Sequence, residues 1–260
     1  MSPRPSRSST LPKARARKTP PPRGSYLRLS RQPWHILCFL LPFVIAYEIG
    51  SVVFLSADSG EIVRTVSAQS IMARAFDAFG PLGIHVPAVV MVVVLFLWHL
   101  ILRDSWRIRP GVLLAMAAES ALWTFPLLVL VALIDPTAFA NTGDLDPQTW
   151  SLGARLTISV GAGLYEELLF RMVAIGAFHF VLVDLFHVSK RIGSIVSVVL
   201  AAIVFGVYHT GMNPVHPGWL LFYSAAGVYF GTVFMTRGFG IVVATHAIYD
   251  IIALVVMPPQ

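Results

Sequence analysis

Six ionisable side chains stand in three short clusters inside otherwise apolar sequence. Glu166, Glu167 and Arg171 lie in GAGLYEELLFRMVAIG (161–176), His209 in FGVYH (205–209), and His246 and Asp250 in HAIYD (246–250). An ionised carboxylate at membrane depth costs roughly 2.5–3.5 kcal/mol on insertion scales, so its default reading is a functional site. Helical spacing sorts the groups. Glu167 and Arg171, at i,i+4, share a face and can pair, which lowers the insertion cost of both. Glu166 is turned about 100° away and is left free to face a cavity. His246 and Asp250 again share a face, as do Phe205 and His209, so an aromatic ring can wall the histidine. One free Glu, one buttressed Glu, two His and a third acid form a set suited to general acid–base chemistry. Taken singly, each has a plainer reading: a Glu–Arg helix staple, an interhelical hydrogen bond from a histidine, an interfacial aspartate. Those readings do not explain why the groups occur together on three helices.

The elements that must bring them together are apolar helices. Of 260 residues, 56% are hydrophobic and only 12% charged, against about 25% charged in a soluble domain. The mean hydropathy is +0.74. The expected fold is all-α, a polytopic transmembrane helical bundle of about seven spans (six to eight), each near the ~20 residues needed to cross. The apolar segments are 34–55, 82–102, 110–134, 152–182, 192–210, 216–236 and 239–257. Three parts follow: a disordered basic cytoplasmic tail (1–31), N-terminal transmembrane helices (32–150), and a transmembrane core carrying the clusters (151–257).

The net charge of +6 belongs to the tail. Nine of the 19 Lys and Arg residues fall in 1–31, which holds no acid, leaving ten against 13 acids elsewhere. That distribution speaks for a lipid bilayer partner and against a nucleic-acid-binding face. The single Cys38 allows neither an intrachain disulfide nor a Cys-based metal site.

The Lys/Arg-rich connections fall on one side. Residues 103–109 carry three Arg and the later turns carry Lys190, Arg191 and Arg237, whereas 56–81 and 135–151 are poor in cations. This predicts an integral membrane protein with its N-terminus cytoplasmic and its C-terminus outside. By that topology His209 lies near the outer end of its span and Glu166 further in, so a shared site requires a tilted helix or a shifted boundary. Val63, Val66, Ile71 and Phe76 suggest an interfacial helix within 61–80. Gly227 and Gly231 form a GxxxG, which permits close helix approach. His35 and His85 read as interfacial. Glu48 and Glu119 sit at membrane depth, either lining a substrate path or hydrogen-bonding between helices.

EELLFR (166–171) resembles the EExxxR motif of the CPBP family, the CAAX prenyl endopeptidase and bacteriocin-processing membrane proteases. FGVYH resembles the family's FxxxH motif and HAIYD its HxxxN/D motif, in the right order on successive helices. The stretch FYSAAGVYFGTVFMTRG (222–238) resembles the Gly-spaced helix that precedes the last motif. The resemblance covers about 150–257. It implies endopeptidase activity within the membrane on membrane-associated protein or peptide substrates, prenylated proteins among them, in a bacterial inner or plasma membrane. It makes Glu166 the base that activates water with His209, has Glu167 and Arg171 hold the site, and has His246 and Asp250 stabilise the oxyanion or position the water. Asp250 departs from the Asn of the prenyl endopeptidase branch, and an ionised Asp repels an oxyanion. Its role is then to be protonated, to orient His246, or to bind metal. Glu166, His209, His246 and Asp250 are also an N/O donor set for Zn²⁺, so both a cofactor-free and a zinc-dependent reaction stand open. Two rival readings are a proton-coupled transporter, since Glu/His chains also relay protons, and an inactive immunity or binding member of the family.

Overall fold

The computed structural model describes residues 24–56, 65–134, 150–211 and 217–256. Their helices are α1 (Tyr26–Leu29), α2 (Pro33–Phe54), α3 (Ser67–Ala73), α4 (Val86–Leu102), α5 (Pro110–Ile134), α6 (Leu152–Glu167), α7 (Ile175–His179), α8 (Lys190–Thr210), α9 (Pro217–Arg237) and α10 (Phe239–Ile251). A 3₁₀ stretch (Arg74–His85) joins α3 to α4. Two π-helical stretches, Leu168–Ala174 and Phe180–Leu185, flank α7, so that α6 through Leu185 runs as one long helical rod. Seven of these helical runs are long and apolar enough to cross a membrane. The protein is a polytopic, all-α integral membrane protein.

Many large apolar side chains, such as Leu114, Leu122, Phe125 and Leu133, lie exposed on the outer surface, where a bilayer replaces water as solvent. The core forms where small residues let backbones approach. Gly227 of α9 lies against the Ala202 backbone of α8, and Gly231 one turn on lies against Val198. The GxxxG therefore marks the α8–α9 seam. Gly163 of α6 does the same against α10, where an added Cβ would meet the Val243 carbonyl oxygen at 2.7 Å and the Ala247 backbone nitrogen at 2.8 Å.

The depth conflict resolves in the hairpin between α6 and α8. Glu166 lies nineteen residues before Leu185, and His209 nineteen after Lys190. Arms with equal numbers of residues bring the two to one level, with His209 Nε2 3.4 Å from Glu166 Oε2. The surplus length of the fourth span lies on the N-terminal side of Glu166.

Three expectations need correction. The disordered tail does not extend to residue 31: Tyr26–Leu29 forms a helical turn with Leu29 buried and the Tyr26 hydroxyl donating to Glu119. Residues 1–23 lie outside the described residues. The expected interfacial helix begins at Ser67, and its packed side is Val66, Ala68 and Gln69, while Ile71 faces outward; Val63 lies outside the described residues. His35 does not face the headgroups, because it is buried within the protein, as is His99, whose ring stacks on Trp34 and meets Trp106 edge-on.

Glu48 and Glu119 hydrogen-bond between helices. Glu48 pairs with His85 and accepts from the Tyr165 hydroxyl at 2.8 Å. Glu119 takes Arg237 in a two-pronged pair, with Tyr26 and Trp123 donating to the same carboxylate. This pair ties α5, α9 and α1 together at one end of the bundle.

Candidate active site

All six sequence-selected residues converge between α6, α8 and α10. Glu166 and Glu167 are the last two residues of α6, and Arg171 lies in the π-helical stretch that follows. π-helical turns inside α-helices are frequent at functional sites. This one has no sequence signature and was not foreseen.

Glu167 is fully buried and binds two partners. Its Oε2 lies 3.0 Å from Arg171 Nε, and its Oε1 lies 2.7 Å from His246 Nδ1. The second contact speaks against one of the three roles open to Asp250, that of orienting His246 by a hydrogen bond. Asp250 Oδ2 stands 3.6 Å from the other ring nitrogen, Nε2, beyond hydrogen-bond reach. The close approach of α6 to α10 at Gly163 makes the cross-helix partner nearer than the one on the ring's own helix. A carboxylate only accepts, so Nδ1 of His246 carries a proton and donates to Glu167.

Arg171 is 2% exposed. Its guanidinium lies over the Phe205 ring at 4.5 Å and the Phe230 ring at 5.2 Å. The aromatic faces partly compensate the charge where water is excluded. Phe230 also stacks on His246, with centroids 4.6 Å apart. One ring of α9 thus braces both the cation and the imidazole.

Glu166 is 6% exposed. Its Oε2 accepts no hydrogen bond among the described residues; it faces His209 Nε2 at 3.4 Å and His246 Nε2 at 3.9 Å. Tyr208 points its hydroxyl at Oε1 from 3.4 Å. His209 donates from Nδ1 to the Phe205 carbonyl oxygen at 3.0 Å, because a carbonyl can only accept. Its Nε2, turned toward Glu166, therefore holds the lone pair when the ring is neutral. Tyr223 stacks on the same imidazole at 4.2 Å, with Trp219 stacked beyond it. Tyr208, Tyr223 and Phe230 were missed in the sequence, since a Tyr or Phe in an apolar span looks like any other packing residue.

Among the described residues, no three His, Cys, Asp or Glu side chains are arranged to hold a metal ion.

The Gly163 contact yields a prediction. Gly163→Ala forces a methyl into the α10 backbone and should cost about 1–3 kcal/mol of stability, the usual range for overpacking. It should also part Glu167 from His246 and lower activity. Gly176 meets nothing within 4 Å at its Cβ position, so Gly176→Ala is the matched control and should be neutral or slightly stabilising. Thermal unfolding of the detergent-solubilised protein compares the two; equal melting temperatures would show that the seam tolerates a methyl.

Residues 148–252 match the family model described as Type II CAAX prenyl endopeptidase Rce1-like. No curated protein and no solved structure matches the chain. The matched stretch contains all six site residues and leaves out α1 to α5. That match supports reading the C-terminal membrane core of this chain as similar to the CPBP (CAAX protease) family.

Proposed function

We propose that the protein is an intramembrane endopeptidase that hydrolyses peptide bonds of membrane-associated protein or peptide substrates with water activated by Glu166. The observation that carries this reading is Glu166 Oε2, which accepts no direct hydrogen bond among the described residues and lies between His209 Nε2 at 3.4 Å and His246 Nε2 at 3.9 Å in a buried site. Water held by Oε2 and His209 Nε2 loses a proton to Glu166 as its oxygen attacks the substrate carbonyl. Nε2 of His246, when protonated, stabilises the oxyanion in a site largely shielded from water, where such a donor is worth most. Glu167 at Nδ1 and Asp250 beside Nε2 flank the ring. On this reading Asp250 is protonated, so that it does not repel the oxyanion held at Nε2, and Glu167 balances the imidazolium. As the tetrahedral intermediate collapses, Glu166 returns the proton to the leaving amine. Glu167 and Arg171 hold the frame. The Lys/Arg distribution supports a cytoplasmic N-terminus.

The test is the full chain in proteoliposomes with membrane-anchored peptides, prenylated and unprenylated, as substrates and a pH-sensitive dye inside. Peptide cleavage without proton flux is expected, undiminished by a chelator. Flux without cleavage would favour the transporter, and neither would favour an inactive binding member. Loss of cleavage in chelator, restored by Zn²⁺, would replace the metal-free step with a zinc-dependent one.

A further inference from the structure

We propose that α3, which lies outside the matched residues 148–252, completes the catalytic site by positioning Glu166 through Tyr208. The inference rests on the reading of Glu166 as the base. Tyr208 neighbours His209 on α8 and aims its hydroxyl at Glu166 Oε1. The Ser67 side chain and the Ala68 backbone, both in the first turn of α3, lie close enough to the Tyr208 hydroxyl to act on it. The path runs from α3 to Tyr208 to the carboxylate.

Helix α3 is fixed firmly enough to serve. Ala68 and Gln69 are buried. Gln69 donates to the Ile84 carbonyl oxygen at 2.9 Å and accepts from Tyr47 and Thr65. Gly161 of α6 has no side chain, and Tyr47 and Val66 fill the place its Cβ would take. The connection between the first two spans is thereby seated on the helix that carries Glu166.

Positioning matters here because the terminal torsion of a glutamate is broad, with no sharp minimum of its own. A donor fixed on Oε1 turns Oε2 toward His209 and His246. The 3.4 Å separation is long for such a bond, and catalytic hydrogen bonds are often long in the free enzyme and tighten when substrate binds. Tyr208 is a positioning residue. Its ring packs edge-on to Phe170 at 5.1 Å and to His209 at 4.9 Å, and a phenylalanine keeps those contacts.

The experiment measures kcat and KM for the reconstituted full chain. Tyr208→Phe should lower kcat about tenfold or more, the worth of a hydrogen bond to a charged group, with KM held within about twofold. Ser67→Ala should lower kcat by a smaller factor and add nothing in the Tyr208→Phe background, because it acts through that hydroxyl. An unchanged kcat for Tyr208→Phe overturns the proposal and leaves the endopeptidase reading standing. So does a Ser67→Ala loss that multiplies with the Tyr208→Phe loss. A Glu166→Gln variant that cleaves normally removes that reading, and this proposal with it.

Discussion

Glu166→Gln is expected to lower peptide cleavage by about 10²–10⁴-fold, the range general-base catalysis supplies, with membrane insertion and folding unchanged. Glutamine keeps the shape of the side chain and can still accept from Tyr208 through its carbonyl oxygen. It cannot take a proton from water. The fold should tolerate the change because Oε2 accepts no hydrogen bond that the amide would break. Glu167 and Arg171, which brace α6 against α10, are untouched. The substitution therefore separates chemistry from structure more cleanly than alanine, which removes the packing as well. The measurement is single-turnover cleavage in proteoliposomes beside a melting curve of the same preparation. Wild-type cleavage by a folded Glu166→Gln protein would falsify the role assigned to Glu166. A collapse in melting temperature would show instead that the carboxylate's charge is structural.

How much of this was legible in the sequence follows from what periodicity can report. Apolar run lengths place seven spans, because the bilayer sets a minimum length and penalises charge within it. Spacing along one helix correctly groups Glu167 with Arg171 and turns Glu166 away from that pair. Spacing is silent about which helix faces which. The His246–Glu167 contact depends on Gly163 lying against Val243 and Ala247, and a glycine in a membrane helix carries no label naming its partner. The apparent depth mismatch between Glu166 and His209 came from counting each span from its own end. Counting both from their shared turn removes it. The π-helical stretch after Glu167 and the seating of α3 beside Tyr208 have no local sequence signature, since both are set by tertiary packing. Glu48 and Glu119 were visible as costly groups, but their partners sit on other helices, so only the fold could choose between a substrate path and an interhelical bond.

The second large effect is expected from Arg171→Met. Methionine fills much of the same volume between Phe205 and Phe230 but removes the cation. Glu167, fully buried, is then left with His246 as its sole polar partner in the site. Breaking one side of a buried ion pair costs about 3–5 kcal/mol, enough to threaten a fold whose total stability is of order 5–15 kcal/mol. The companion variant decides whether the stranded charge is the reason. Glu167→Gln together with Arg171→Met removes both charges, and replacing a buried pair outright is often neutral. The double variant should therefore recover most of the lost stability. It should recover less of the activity: the glutamine carbonyl still accepts from His246 Nδ1, but a neutral amide no longer balances charge on the imidazole as the oxyanion forms. Stability regained with activity still depressed would assign the pair two separable duties, holding α6 to α10 and setting the charge beside His246. If the double variant melts as low as Arg171→Met alone, the loss belongs instead to the guanidinium's packing between the aromatic rings. Glu167 would then owe its place to His246 alone.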